Sequence, residues 1–154
     1  MRRKDKEITD ETVIREILEK SSICRIGLLD GDLPYIVPMN YGFAAGALFF
    51  HTARVGKKIA LIEKNKRVCF EIEYAAEVIR HEQSCSWSTR YRSVIGYGLL
   101  EIITDAEEKK KGLDVIMAQH GKKDSNLYHE PYVARIVILK LTIDQISGKQ
   151  SGDW

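Results

Sequence analysis

The sequence lacks any long apolar run. No stretch approaches the roughly 20 consecutive apolar residues that a membrane-spanning helix needs. The basic residues that follow Met1 lead into no apolar segment of the kind that a secretory signal carries. We therefore expect a protein that neither crosses a membrane nor is exported.

Cysteine is scarce as well. The three residues Cys24, Cys69 and Cys85 are odd in number and widely scattered, and the first two lie in apolar strand patterns. That usage is typical of small core residues in a reduced protein, so we expect a cytoplasmic location. His81 and Cys85 are the best-spaced pair of metal-ligand side chains, but no second pair accompanies them, and no metal site is expected.

An excess of one charge is also missing. The chain has 24 basic and 22 acidic residues, a formal net charge of +2. This balance argues against a nucleic-acid-binding protein, which normally carries a marked basic excess. The 154 residues are 44% hydrophobic and contain no repeat, linker or low-complexity segment. They suit a single globular domain over 1–154.

Most predicted strands are joined by short turns rather than by long helical crossovers, as at the Asp30-Gly31-Asp32 hairpin. This organisation predicts a mainly β protein, an antiparallel barrel with flanking helices. Segment 75–89 is interpreted as a loop or strand edge, and segment 144–154 as a mobile tail. The predicted strands are 23–29, 33–43, 47–52, 67–74, 91–103 and 133–143; the two longer helices are 10–20 and 106–120, and a short helix is 57–64.

Proline and glycine mark two of these strands. Pro34 and Pro38 lie in the second strand, and because proline cannot donate to a sheet ladder, this strand is predicted to be an edge or bulged. Its free backbone groups could bind a planar polar ligand, or the edge could simply be irregular. Gly96 and Gly98 share a strand face and favour a bend, a bulge or a close approach. The run 109–111, three lysines, is predicted to be a solvated helix face.

The stretch 48–58 carries the strongest chemical signal. An apolar strand ends at His51 and Thr52, turns through Gly56 and enters a helix that begins with Lys57 and Lys58. Unpaired N–H groups, the positive end of a helix dipole and nearby cations together form a site for phosphate or another compact anion. The alternative is a solvated basic junction without a ligand.

The ordered set of motifs resembles nitroimidazole-resistance proteins, which belong to the flavin-binding split barrels related to pyridoxamine 5'-phosphate oxidase. The resemblance extends over roughly residues 1–150. It rests on the segments 1–7, 34–41, 50–53, 56–58, 67–71, 91–98 and 146–149.

The resemblance implies a homodimer of split barrels that binds FMN between its subunits. Each candidate residue then receives a role at the flavin. The residues that run along the isoalloxazine ring would be Val37, Pro38, Met39 and Asn40, and those beside the ring would be His51 and Thr52. The phosphate would be held by Lys57 and Lys58. The partner subunit would contribute Tyr91, Ser93 and Val94.

The resemblance also implies an FMN-dependent oxidoreductase that reduces nitroaromatic compounds such as 5-nitroimidazoles, with NAD(P)H or another reductant as electron donor. His51 is the candidate proton donor or substrate-orienting group. Pyridoxamine-phosphate oxidases end in a Trp and an Arg-Leu-x-Pro segment, and the ending 148–154 has nothing of that kind, so vitamin B6 oxidation is not expected. Two alternatives stay open: a flavin carrier or sensor without catalysis, and haem in the same groove with His51 as ligand.

Overall fold

The computed structural model describes residues 3–122 and 125–154. Met1 and Arg2, where the first motif begins, and Lys123 and Asp124 lie outside the described residues. No helix in the described ranges is both long and apolar enough to span a bilayer. The elements are β1 (Glu7–Ile8), α1 (Glu11–Lys20), β2 (Ile23–Asp30), β3 (Leu33–Asn40), β4 (Gly42–Ala44), β5 (Ala47–Ala53), α2 (Lys57–Lys64), β6 (Arg67–Ile79), β7 (Ser88–Ile103), α3 (Ala106–Gln119), α4 (Glu130–Arg135) and β8 (Ile136–Ser151), with 3-10 turns at Lys4–Lys6 and Ser84–Ser86.

All eight strands belong to one antiparallel sheet. Their order is β3-β2-β6-β7-β8-β5-β4, and β1 pairs with the far end of β8, where Glu7 lies opposite Lys149. The neighbours β2–β3 and β4–β5 are joined by tight turns, β6–β7 by a short loop, and β7–β8 by the segment that contains α3 and α4; the other neighbouring strands are distant in sequence. The predicted mainly β fold with flanking helices is confirmed.

The strand with two prolines is an edge strand, as predicted. Within the described residues, β3 pairs with β2 alone, and Pro34 and Pro38 lie opposite Leu29 and Arg25. One side of β3 is therefore without a ladder partner in this chain. Because proline lacks an N–H, both residues are tolerated in such a position.

The sheet wraps around a core that two helices close. Tyr41, Phe50 and Phe70 are fully buried in it, and the apolar faces of α1 and α2 pack against it. A second, smaller cluster lies between the sheet and α3 and α4, with Leu113 and Ile138 among its members. The two clusters together cover both faces of β8, which explains its continuous apolar sequence.

The last strand is longer than predicted. The sequence pattern ends it at Ile143, but β8 continues to Ser151 and pairs with β7 from Ile138 to Ser151 and with β1 near its end. The prediction of a mobile tail from residue 144 is therefore wrong as far as Ser151. Its alternating polar residues face outward on a paired strand, and the ladder hydrogen bonds hold them.

Segment 75–89 is an extended hairpin rather than a loop alone. Strand β6 passes a bulge at Ala75, whose φ is +53°, and continues to Ile79, while β7 begins at Ser88. The Trp87 indole N–H donates to the His81 carbonyl and fixes the tip. Among the described residues, no three His, Cys, Asp or Glu side chains are placed to share a metal ion.

Two predictions about short segments have opposite outcomes: the one for Gly96 and Gly98 is confirmed, and the one for the lysine run is wrong at Lys109. A Cβ on Gly96 would lie 2.4 Å from the Phe70 ring, and β7 shifts register against β8 at Gly98, so both a close approach and a bulge are present. The lysine run is not a uniform solvated face. Lys109 is buried and donates to the carbonyls of Val133 and Ile136, because α4 packs over this side of α3.

Candidate functional site

The β5–α2 turn has the geometry of an anion site. Gly56 precedes the first residue of α2 and has a φ of +131°, which a residue with a side chain rarely adopts. Among the residues that the structure describes, no side chain caps this helix, so the N–H groups of its first turn remain available to a ligand. Buried Ile59, Leu61 and Ile62 fix the helix on the core, and the turn is thus held by packing.

The three cations at this turn have different partners. The Arg54 guanidinium donates to the Ala134 carbonyl at 3.2 Å. The Lys57 ammonium lies 2.6 Å from an Asp30 carboxylate oxygen. Lys58 is half-buried, and within the described part of the chain it makes no ion pair. Lys58 is therefore the cation that is available without rearrangement.

The Lys57 contacts also join the turn to the edge strand. Its ammonium lies 4.7 Å from the centre of the Tyr35 ring, a cation–π contact, while Asp30 ends β2 just before the hairpin. Asp30 raises the pKa of Lys57, chiefly through their hydrogen bond. The structure thus brings the phosphate candidates beside β3, although α2 and β3 lie far apart in sequence.

The four candidate residues on β3 alternate in direction. Val37 and Met39 are half-buried and pack against the main core, whereas Pro38 and Asn40 are exposed. Since the outer edge of β3 has no ladder partner in the ranges 3–122 and 125–154, its backbone groups remain accessible. A planar ligand at this edge would meet main-chain N–H and C=O groups and the outward-facing pair.

His51 and Thr52 point to opposite faces of β5, as neighbours on a strand do. Thr52 follows buried Leu48 and Phe50 toward the main core and is half-buried, whereas His51 is exposed and lies opposite Ile138. Although its surface is largely accessible, neighbouring atoms partly desolvate the imidazole, and this desolvation, and secondly the charge of Lys58, lower the pKa of His51. A planar ligand on one face of β5 can therefore contact the side chain of His51 or that of Thr52, but not both.

The third candidate group lies at the other end of β8. Tyr91 pairs with Ser151, whereas Ala53, beside the anion site, pairs with Ile136. Strand β8 has 16 residues, and a strand of that length spans up to roughly 50 Å when extended. Tyr91 and Ser93 are half-buried, and Val94 is fully buried in its own core, so its side chain is not accessible from outside.

Sequence patterns missed Asp30 and Tyr35 as members of the site. The Asp30-Gly31 pair was interpreted only as a hairpin signal, and Tyr35 as an ordinary strand residue. Their position depends on how the β2–β3 hairpin folds against α2, which no local pattern encodes. Their proximity to a strand rich in proline was the sole available hint.

The comparisons with known proteins concern the family and the fold. The family model for pyridoxamine 5'-phosphate oxidase matches residues 10–150. A crystal structure from Bacteroides thetaiotaomicron VPI-5482, provisionally described as a 5-nitroimidazole antibiotic resistance protein, is 34% identical; the alignment covers 94% of this chain and 86% of that one, with a TM-score of 0.82. Among curated proteins, none matches the chain.

More distant structures share the fold alone. The FAD and heme binding protein from Mycobacterium smegmatis is 21% identical, with a TM-score of 0.84 over 97% of this chain and 75% of that one. The flavocytochrome Anf3 from Azotobacter vinelandii is 17% identical, with a TM-score of 0.84 over 99% of this chain and 72% of that one.

Proposed function

The chain belongs to the pyridoxamine 5'-phosphate oxidase family, and from that premise we propose that it is an FMN-dependent oxidoreductase acting on nitroaromatic compounds of the 5-nitroimidazole kind or on related small molecules. The observation that carries the proposal is the uncapped α2 N-terminus with Lys57 and Lys58 at its first turn. The 34% identity to the provisional resistance protein supports the substrate class.

The phosphate end of FMN fits the β5–α2 turn. A phosphate monoester carries close to two negative charges at neutral pH. The first-turn N–H groups, the helix dipole and the ammonium of Lys58 would meet that charge together. Gly56 leaves open space where a side chain would stand, since nothing lies within 4 Å of a Cβ built there.

The ring end fits the edge of β3. Val37 and Met39 anchor the strand in the core, so its unpaired backbone groups and the outward-facing Pro38 and Asn40 would follow the isoalloxazine. Thr52 stands at the end of β5, next to the turn that would hold the phosphate. The side chains of Val37 and Met39 would thus hold the strand in place, and its main-chain groups would bind the ring.

His51 would orient the substrate and hold a proton for it. Bound FMN supplies the electrons, which NAD(P)H or a comparable reductant replenishes. Because the pKa of His51 is lowered, its imidazole is largely neutral near pH 7 and accepts a hydrogen bond there. A phosphate on Lys58 would offset the lysine charge and restore part of the proton affinity of His51.

A homodimer would complete the site. Tyr91 and Ser93 lie at the opposite end of β8 from the anion site, so a second copy is the natural source of their contribution. The outward face of the sheet supports this, since exposed Ile36 and Tyr97 lie in one row across the strands with Gly27 and Cys69 between them. FMN affinity is then expected to fall when the protein is diluted below its dimer dissociation constant.

Two other functions remain candidates. The sequence and the site offer no acid–base pair besides His51, which favours a flavin carrier or sensor without dedicated catalysis. Two structures with the same fold are described as haem or flavocytochrome proteins, so haem with His51 as ligand is the third possibility. We keep a cytoplasmic location as part of the proposal, in agreement with three free cysteines.

The visible absorption spectrum of the purified protein, repeated after FMN is added and the excess removed, tests the cofactor. Retained oxidised-flavin bands support the FMN proposal, whereas a Soret band supports the haem alternative. A protein that retains no flavin and shows no Soret band contradicts both cofactors. The double variant Lys57→Gln/Lys58→Gln should lose FMN. The matched control Lys64→Gln/Lys66→Gln removes the same charge beyond the other end of α2 and should retain it.

Anaerobic assay of the FMN-loaded protein with NAD(P)H and a 5-nitroimidazole tests the activity. Consumption of the nitro compound supports an enzyme, whereas bound FMN without turnover supports a carrier or sensor. His51→Ala should lower turnover more than FMN affinity. Equal turnover in this variant would remove His51 from the mechanism.

A further inference from the structure

One of the two lysines proposed to hold the phosphate already has an anionic partner. The Lys57 ammonium lies 2.6 Å from an Asp30 carboxylate oxygen and 4.7 Å from the Tyr35 ring centre. Lys58, by contrast, makes no ion pair within the described ranges. A phosphate at the α2 N-terminus would therefore find one available ammonium and one that is engaged.

The position of Asp30 follows from the β2–β3 hairpin. Asp30 is the last residue of β2 and pairs with Leu33 across the turn, where Gly31 has a φ of +67°. This tight turn places the Asp30 carboxylate against the ammonium of Lys57, the first residue of α2. A carboxylate and a phosphate are both attracted to that positive charge.

We propose that Asp30 is an internal competitor for the flavin phosphate: it occupies Lys57 in the free protein and must release it when the cofactor binds. This inference rests on the proposed function, since it concerns the same anion site. Both side chains are about half exposed, 55% for Lys57 and 42% for Asp30. An ion pair at that exposure is weak, so a ligand can displace it.

The competitor has two consequences. Without cofactor, Asp30 compensates a cation at the helix start and holds the β2–β3 hairpin against α2. With cofactor, the broken ion pair subtracts from the binding free energy of any flavin that carries a phosphate. Riboflavin has no phosphate and does not need Lys57, so its affinity does not depend on Asp30.

The test compares FMN and riboflavin affinities of the wild-type protein, Asp30→Asn and the matched control Asp32→Asn. Asp32 is exposed on the same hairpin and makes no ion pair in the described part of the chain. Asp30→Asn should bind FMN roughly two- to fivefold more tightly, the size of one exposed ion pair, with riboflavin unchanged. Asp32→Asn should change neither affinity.

The double variant Asp30→Asn/Lys57→Gln identifies the route of the effect. It should bind FMN as Lys57→Gln alone does, because Asp30 acts only through that lysine. Unchanged or weaker FMN binding in Asp30→Asn would overturn the proposal, as would an equal gain in Asp32→Asn or a parallel gain in riboflavin affinity.

A measurement without flavin separates this inference from the proposed function. Inorganic phosphate should raise the melting temperature of Asp30→Asn more than that of the wild type or of Asp32→Asn. If the wild type retains no FMN but phosphate protects Asp30→Asn selectively, the competitor stands and the FMN proposal fails. If phosphate protects all three equally, or none, the competitor is ruled out.

Discussion

His51 is a residue whose protonation depends on a neighbouring lysine. Its pKa is lowered first by partial burial and second by the positive charge of Lys58. The pKa of this histidine is lower in the folded chain than in the unfolded chain, so its neutral form favours the native state. This contribution to stability is complete above a pH of about 6.5, the unfolded value, and is lost as the pH falls through the folded pKa. Acid conditions therefore weaken the fold at this position.

Removing the lysine charge should raise the pKa of His51. We expect Lys58→Gln to shift the titration of the His51 ring to higher pH, by NMR of the imidazole C–H signals, and we expect bound FMN phosphate to do the same in the wild type. Lys64→Gln, at the other end of α2, is the control and should leave the titration in place. A titration that does not move in Lys58→Gln would show that burial alone lowers the pKa.

At Gly96, a single added Cβ atom is expected to change the stability of the fold. A Cβ there would lie 2.4 Å from the Phe70 ring and 2.7 Å from the Gln145 carbonyl. Gly96→Ala should lower the free energy of unfolding by about 1–3 kcal/mol, as overpacking does, and urea denaturation measures it. Gly27→Ala is the control, because its Cβ would make only ordinary contacts, at 3.6 Å or more.

Among the helices, α3 and α4 are joined by a buried lysine. The Lys109 ammonium donates to the carbonyls of Val133 and Ile136, at 2.5 Å and 3.1 Å, and so caps the C-terminal end of α4. Its neighbours Lys110 and Lys111 pair with acids on the surface instead. Within this run, Lys109 thus links two helices, whereas Lys110 and Lys111 make ion pairs on the surface.

Replacing Lys109 should loosen this joint. Lys109→Met keeps most of the apolar stem but leaves two carbonyls without their donor, and we expect a loss of about 1–3 kcal/mol in the free energy of unfolding. Amide hydrogen exchange should become faster around residues 133–136. Lys111→Met, on the exposed side of the same helix, should be nearly neutral, and an equal loss in both variants would contradict the capping role.

The sequence predicted elements well where a local signal was sufficient. The Asp30-Gly31 hairpin, the Pro38 edge strand and the Gly56 helix start each depend on backbone chemistry within a few residues. The prediction from sequence failed where contacts with residues distant in the chain determine the structure. The continuation of β8 to Ser151 needs β7 and β1, and the burial of Lys109 needs α4.

The candidate site divides in the same way. The turn at Gly56 that leads into Lys57 and Lys58 could be predicted because a strand, a turn and a helix start follow one another directly in the chain, whereas its binding of an anion stays a proposal. The partners Asp30 and Tyr35 could not, since they reach the turn through the packing of a distant hairpin. The contribution of residues near Tyr91 stays a prediction from the family resemblance.

For the whole molecule, the outward sheet face is the surface on which the proposed dimer depends. Tyr97→Lys places a charge at one end of the row of Ile36, Gly27, Cys69 and Tyr97 and should shift the protein toward monomer, by light scattering after size-exclusion chromatography, with weaker FMN binding. Leu127→Lys changes another large hydrophobic residue, which is 98% exposed elsewhere, and it should alter neither. A wild type that is monomeric at all concentrations would refute the dimer.

Strand β8 also determines when the sheet can close. It lies between β7 and β5 and pairs with β1, so three strands that precede it in the sequence need it as a partner. Until residues 136–151 have emerged from the ribosome, β5 and β7 each present an unpaired edge of the kind that joins other chains. Because Glu7 pairs with Lys149, which is distant in sequence, the sheet closes only after β8 has been synthesised. The nascent chain is thus most exposed to aggregation in the interval between the emergence of β7 and that of β8.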